Sequence, residues 1–244
     1  MSFAQDLRAV AWKEARELTR QRSTLVSAGF MLAVFGVLLP VQAGVASLRS
    51  LEGLPSFLII PFATIVAFIA DAFAGERERH TLESLLATRL SDRAILAGKI
   101  LVAVGYGWGL VLVRAVVAVV AVNLSAPHGG GFVGYAPTVL FGGLGLGLLV
   151  ALFMSSLGVL VSLRAATVKQ AQQVLAIAVA FVAVLALAGG ALLPDAWRAP
   201  LLRFFVTAGE ARVLLVVASI LAAVDVALLA ACDLRFRRAR LILD

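Results

Sequence analysis

The sequence predicts an all-α, polytopic membrane protein with six transmembrane helices and both termini in the cytoplasm. Three observations lead to this prediction: the composition, six long apolar runs and the distribution of basic residues. Of the 244 residues, 62% are hydrophobic and 14% are charged, and the mean hydropathy is +1.03. A soluble domain is about 45–50% apolar and about 25% charged. Lipid must therefore be the solvent for most of this chain.

Six apolar stretches are long enough to cross the hydrocarbon core, which needs about 20 mostly apolar residues in a helix. They have the approximate limits Thr24–Ala46, Leu54–Phe73, Leu96–Asn123, Pro137–Leu163, Val174–Leu193 and Val213–Cys232. The runs lack the alternating pattern of about ten residues that a membrane β-strand shows. We expect helices, arranged in a single transmembrane domain over residues 1–244.

The basic residues predict the direction of each span. The segments before span 1, between spans 2 and 3, between spans 4 and 5, and after span 6 carry sixteen of the 21 Lys and Arg residues. The opposite side has Arg49, Arg198, Arg203 and Arg212. The positive-inside rule then places both termini in the cytoplasm. Because the net charge of +7 is concentrated in these short segments, we expect membrane lipids and not nucleic acid as partners.

Residues 1–23 are predicted to form an interfacial amphipathic helix. Phe3, Leu7, Val10, Ala11 and Leu18 recur at helical spacing on one face, and Glu14 interrupts that face. The basic residues of this segment face elsewhere, where they could meet anionic head groups. The alternative is a basic leader that only fixes the orientation of span 1.

The segment between spans 2 and 3 is longer and more highly charged than a simple linker. Leu82, Leu85, Leu86 and Leu90 recur at i, i+3, i+4 and i+8, which indicates a short amphipathic helix. Ser91 can cap the start of span 3, with Asp92 in its first turn. The periodicity leaves two interpretations open: a helix that docks on a soluble partner, or an interfacial helix that packs only on the spans of this chain.

The stretch from residue 75 to residue 99 resembles the signature of the ABC type-2 permease family. The matching residues are Gly75-Glu76-Arg77-Glu78, Thr81-Leu82-Glu83, Leu85-Leu86, Thr88, Leu90-Ser91, Ile95 and Gly98-Lys99. The sequence departs from the pattern at His80, where glycine is usual, at Arg89, where proline is usual, and at Asp92. Ala171-Gln172-Gln173 at the start of span 5 also resembles the family.

The resemblance implies a multi-pass permease subunit of an exporter in the cell (inner) membrane. It implies a cytoplasmic coupling segment at residues 74–93 that contacts an ABC ATPase. The implied coupling residues are Glu76, Arg77, Glu78, Thr81, Leu82, Glu83, Leu85 and Leu86. A second permease chain, identical or related, is the other implied partner. ATP and Mg would bind to the ATPase, with no cofactor on this chain.

The sequence lacks the motifs that would give this chain a catalytic role of its own. No G-x-x-x-x-G-K-[ST] pattern for ATP phosphates and no H-E-x-x-H pattern for zinc occurs. We expect no catalytic or metal-binding residue and assign ATP hydrolysis to a separate chain. A secondary transporter or channel without an ATPase is the alternative function, and an integral membrane enzyme is a third class.

Two charged residues fall inside the predicted spans. Arg114 lies roughly 20 Å and Asp225 roughly 10 Å from the inner edge of the hydrocarbon, at 1.5 Å per residue, so a direct pair requires side-chain reach or helix tilt. Charges at that depth are costly and are functional candidates by default. We expect Arg114 to face the interior of the bundle. Asp71, near the inner end of span 2, is expected to pair with a cytoplasmic arginine or to cap a helix.

Overall fold

The structure is a computed structural model, and it describes residues 3–81, 89–125, 131–192 and 209–236 together with Pro200. The described residues form helices and connections and contain no strand. The principal helices are α1 (Phe3–Arg20), α2 (Arg22–Met31), α3 (Leu39–Ala43), α4 (Ala46–Arg49), α5 (Leu54–Glu78), α6 (Asp92–Ser125), α7 (Pro137–Ser162), α8 (Val168–Leu192) and α9 (Glu210–Arg235). A π-helical segment (Leu32–Leu38) joins α2 to α3, and a 3-10 turn (Leu51–Gly53) precedes α5.

Within these ranges, five helical stretches are long and apolar enough to cross a membrane. They are Arg22–Ala43, Leu51–Glu78, Asp92–Ser125, Pro137–Ser162 and Glu210–Arg235. These stretches coincide, to within a few residues at each end, with predicted spans 1, 2, 3, 4 and 6 or extend beyond them. This agreement confirms the all-helical, multi-pass fold class. Residues 174–192 of predicted span 5 lie in the 25-residue helix α8. The total of six spans and their orientation stay predictions.

Helix α5 lies at the centre of the bundle. Its buried residues include Phe57, Ile65, Ile69 and Phe73, and it packs closely on α6 and α7. Several glycines of the spans are at tight contacts between helices: Gly107 meets Ile65, Gly142 meets Leu214, Gly143 meets Phe57, Gly147 meets Val111 and Gly158 meets Ile69. A Cβ added at Gly105, Gly109 or Gly145 would have no neighbour within 4 Å among the described residues. Only the first group therefore supports close packing of the helices.

The first span changes its helical pitch halfway along. Leu39 donates its backbone N–H to the carbonyl of Val34, five residues earlier, and Pro40 follows. Proline has no N–H, and its ring clashes with the carbonyl four residues before it. A wider π turn accommodates both effects, and such turns often occur at functional positions.

Helix α1 buries a mixed face, which corrects the expected apolar one. Its buried residues are Asp6, Val10, Glu14 and Leu18, while Phe3 is 52% exposed. Two of the four buried side chains are therefore acidic. Glu14 does not interrupt the buried face but lies at its centre, and the reason is its partner on α6.

Candidate functional site

The end of α5 is held by a buried cluster of charges that joins three helices. Lys99 of α6 donates from Nζ to Glu14 Oε1 at 2.7 Å and to Glu76 Oε1 at 3.1 Å. Lys13 of α1 donates to the same Glu76 oxygen at 3.0 Å. Lys99 is 1% exposed and lies 5.1 Å from the centre of the Phe73 ring. We call Lys13, Glu14, Glu76 and Lys99 the charge cluster.

The buried members of the charge cluster, Glu14, Glu76 and Lys99, stabilise one another, and Lys13 is partly exposed. Buried ions lose their hydration, and pairing with hydrogen bonds must offset that loss. Glu76 Oε2 is buried and has no hydrogen-bond partner among the described residues, so this carboxylate depends on the contacts of its other oxygen. Burial alone would lower the pKa of Lys13, but its hydrogen bond to Glu76 and the nearby charges of Glu76, Glu14 and Glu17 outweigh that effect and raise the pKa. Lys13 therefore stays charged.

Two glycines of the 75–99 stretch allow the close contacts around the cluster. A Cβ at Gly98 would lie 2.6 Å from Val10 Cγ1, so the missing side chain lets α1 approach α6 next to Lys99. A Cβ at Gly75 would collide with the carboxylate of Asp71. That space lets Asp71 accept hydrogen bonds from Arg79 at 2.9 and 3.0 Å. The expected pairing of Asp71 with an arginine is confirmed.

Arg77 and Glu78, which follow Glu76 in α5, connect this helix to the link between α7 and α8. Arg77 donates to the backbone carbonyls of Ala165 at 2.6 Å and Leu163 at 2.9 Å, just beyond the end of α7. A cation at a helix C-terminus also interacts favourably with the helix dipole. Glu78 Oε2 accepts the backbone N–H of Val168, the first residue of α8, at 3.2 Å. One turn of α5 thus bonds to the link just after the end of α7 and to the start of α8.

The termination of α5 explains why the family signature favours glycine at position 80. His80 donates its backbone N–H to Arg77 O and Thr81 donates to Glu76 O, which is the hydrogen-bond pattern of a Schellman motif. This motif needs a left-handed residue at the position of His80, whose φ is 56°. The chain therefore keeps the turn geometry that glycine would provide, at the cost of backbone strain.

The start of α6 is fixed from two other directions. Ser91 Oγ accepts the backbone N–H of Ala94 at 3.3 Å, which confirms the predicted cap. Asp6 of α1 accepts the backbone N–H of Ser91 at 3.4 Å. Arg93 donates to both carboxylate oxygens of Asp233, near the end of α9, at 3.0 and 3.1 Å. These contacts hold the far end of the segment that leaves α5.

The predicted coupling residues fall into two groups. Glu76, Arg77, Glu78 and Thr81 are described, and each bonds to a partner within this chain; Thr81 Oγ1 donates to Glu76 O at 3.2 Å. Leu82, Glu83, Leu85 and Leu86 lie outside the described residues. The geometry therefore gives the first group an anchoring role inside the chain. Contact between either group and an ATPase stays a prediction.

Arg114 faces the protein interior, as its cost in lipid predicts. It is 1% exposed; its guanidinium lies 4.1 Å from the centre of the Phe57 ring and donates to Tyr135 Oη at 2.9 Å and to Ser56 Oγ. Arg114 Nε also donates to the carbonyl of Phe35 at 3.2 Å. That carbonyl lies in the π-helical segment. In an α-helix it would accept the N–H of Leu39, but Leu39 bonds to Val34, and Pro40, the next candidate, has no N–H. Arg114 therefore satisfies a carbonyl that the π turn leaves free.

Asp225 does not pair with Arg114. It is 1% exposed on α9, and neither carboxylate oxygen has a hydrogen-bond partner among the described residues. The sequence leaves a direct pair open, subject to side-chain reach or helix tilt. The partners of Arg114 on α5 and before α7 occupy its donors instead. A functional role for either residue stays a prediction.

Sequence reasoning did not find the charge cluster. Glu14 was visible as a charge on an apolar face, and Lys99 as the end of the family signature, but nothing in the sequence joins residues 85 positions apart. The useful signal was the acidic residue at a position where the helical period favours an apolar one. Such a residue favours a buried cation or hydrogen-bond donor opposite it.

These features define a polytopic α-helical membrane protein in which the end of one span organises the neighbouring spans. The family model described as ABC-2 type transporter matches residues 5–207. The match covers most of the chain and includes the charge cluster, and the chain belongs to this family. None of the curated proteins matches it at a significant level. As a member of this family, the chain is a transport subunit, the membrane part of an ABC transporter.

Proposed function

We propose that this chain is the permease subunit of an ABC exporter in the cell (inner) membrane, driven by a separate ATPase through the segment between α5 and α6. The observation that supports this proposal is the charge cluster. It links Glu76, in the last turn of α5, to Lys99, about two turns into α6, and to α1. A displacement of the segment would therefore reach three helices through buried contacts.

The connections around the cluster give the displacement a route to further spans. Arg77 and Glu78 bond to the link between α7 and α8, and Arg93 bonds to Asp233 at the end of α9. Rigid elements joined by hydrogen bonds and ion pairs can carry coupling between distant sites. In this account, ATP binding closes the ATPase pair, moves the segment and tilts the spans to alternate access. No residue of this chain takes part in covalent chemistry.

The active assembly would contain two permease chains and two ATPase subunits, with ATP and Mg bound on the latter. The second permease chain would be identical or related. The exposed apolar side chains of α9, among them Leu215, Ile220 and Val226, are available to lipid or to that second chain. The secondary-transporter alternative requires no ATPase at all, so the composition of the purified complex separates the two functions.

The test is to purify the tagged full-length chain from its native membrane in mild detergent. We expect a co-purifying protein with a G-x-x-x-x-G-K-[ST] sequence, and ATP hydrolysis by the purified complex that requires Mg. An unrelated multi-pass protein with the same tag, purified in parallel, is the control. Transport activity in vesicles that contain this chain alone, without any ATPase, would overturn the proposal in favour of a secondary transporter.

A further inference from the structure

A groove at one end of the bundle is unrelated to the charge cluster. It lies where α7 and α9 end and α8 begins, and its volume is about 490 Å³. Binding pockets for small molecules measure about 300–1,000 Å³. The groove is lined by Leu157, Leu160, Val161, Arg164, Ala165, Gln170, Val174, Ala231 and Arg235. We call it the basic groove.

The walls of the basic groove are apolar and extend into the spans. Leu157 lies five residues before the end of α7 at Ser162, and Val174 lies six residues after the start of α8. At 1.5 Å per residue these positions are roughly 7–9 Å along their helices. Ala231 lies four residues, or roughly 6 Å, before the end of α9. A molecule that fills the groove must therefore be apolar where it contacts these walls, and it must extend past the helix ends into the bundle.

The rim of the groove is positively charged. Arg164 and Arg235 are exposed, and neither guanidinium has a hydrogen-bond or ion-pair partner among the described residues. No acidic side chain is among the described lining residues. Two carboxylates close to the link and to the end of α9 make other contacts: Asp233 binds Arg93, and Glu78 accepts the N–H of Val168. The rim therefore offers two free cations above an apolar wall.

We propose that the basic groove binds an anionic phospholipid, with its head group on Arg164 and Arg235 and an acyl chain along the apolar walls. Basic pockets between membrane helices favour anionic head groups. An acidic surface on a soluble protein would match the two arginines but could not fill apolar walls at this depth in the spans. A neutral lipid would fill the walls but leave both guanidinium groups without a counter-charge. The anionic lipid satisfies both features. This site does not depend on the proposed ATPase.

The test measures how lipid retention depends on the head-group charge of the lipid, on the two arginines and on the free space in the groove. The full-length chain is reconstituted in nanodiscs of equal phosphatidylglycerol and phosphatidylcholine, transferred to mild detergent, and its bound lipids are counted by native mass spectrometry. We expect preferential retention of phosphatidylglycerol. The R164Q/R235Q double variant should bind it about fivefold more weakly for each arginine lost. Ala231→Trp should displace both lipids because the indole would occupy the groove.

Two controls match these changes. The R49Q/R212Q variant removes two exposed arginines away from the groove, and Ile220→Trp adds an indole at an exposed site of α9; both should retain phosphatidylglycerol as the wild type does. Equal retention of the two lipids by the wild type would overturn the proposal. Unchanged lipid retention in R164Q/R235Q would also overturn the proposal. If this variant in addition lost a protein that co-purifies with the wild type, the two arginines would belong to a protein-binding surface.

Discussion

Lys99 and Glu14 form a 2.7 Å ion pair between a predicted membrane span and the N-terminal helix, with the Lys99 side chain 2% and the Glu14 side chain 4% exposed. The pair explains how a helix with two acidic residues on its buried face can pack against an apolar bundle. It also explains why the signature stretch ends in lysine. Glu76, in the last turn of α5, and Lys99, about two turns into α6, flank the segment between these helices, and Lys99 bonds to both Glu14 and Glu76.

Removal of Lys99 should destabilise the protein strongly. Lys99→Met removes the buried cation at 2.7 Å from Glu14 and leaves only the partly exposed Lys13 at 3.8 Å. Breaking a buried pair costs about 3–5 kcal/mol. Thermal unfolding of the purified protein measures the effect. Arg93→Gln is the matched control, because it breaks an ion pair whose arginine side chain is 76% exposed, worth about 0–1 kcal/mol. Equal stability of the two variants would show that the cluster contributes no more than a surface pair.

Replacement of His80 tests the turn that ends α5. Because the residue has a φ of 56°, glycine should fit better than alanine, by about 1 kcal/mol given the left-handed penalty of about 1–2 kcal/mol and the entropic cost of glycine. His80→Gly and His80→Ala both remove the imidazole, so their difference isolates the backbone effect. Their melting temperatures provide the measurement. If alanine is as stable as glycine, residue 80 is not left-handed.

The role of Arg114 can be tested through Pro40. Arg114→Leu should insert normally, reduce transport and destabilise the fold by about 1–3 kcal/mol, because the partly buried carbonyl of Phe35 loses its donor. Pro40→Ala restores a backbone N–H near that carbonyl, so the loss should be smaller in the Pro40→Ala background. A double-mutant cycle on thermal unfolding measures this coupling. Additive effects would show that the π turn and Arg114 are independent, and wild-type transport by Arg114→Leu would remove its functional role.

The topology makes a prediction about accessibility in intact cells. Ser125→Cys, at the end of α6, should react with a membrane-impermeant thiol reagent, and Ser91→Cys, before its start, should not, because the positive-inside rule places residue 91 in the cytoplasm. The native Cys232 is buried and 0% exposed, so it provides a low background. The reverse labelling pattern would invert the predicted orientation.

Hydropathy predicted the helices well because a span must satisfy its backbone internally and expose apolar side chains to lipid. The cost of a buried charge likewise predicted that Arg114 faces inward. Neither argument could identify the hydrogen-bond partners of Arg114. The carbonyl of Phe35 is free because of a π turn next to Pro40, and the sequence alone does not predict that turn. Ser56 and Tyr135 belong to other elements. The charge cluster was missed for the same reason: Glu14, Glu76 and Lys99 meet only when three helices pack.

The central claim is that an ATPase drives this chain through the segment between α5 and α6, and the most direct measurement is ATPase retention by a variant of that segment. Replacing Leu85 and Leu86 by aspartate places two charges in the proposed contact, which is strongly unfavourable without partners. The L124D/S125D variant is the control, since it adds two charges at exposed positions at the end of α6 that is remote from this segment. We expect the L85D/L86D variant to reach the membrane at normal levels but to lose both the co-purified ATPase and ATP-dependent transport, while the control keeps both. Normal ATPase retention and normal transport in L85D/L86D would contradict the account.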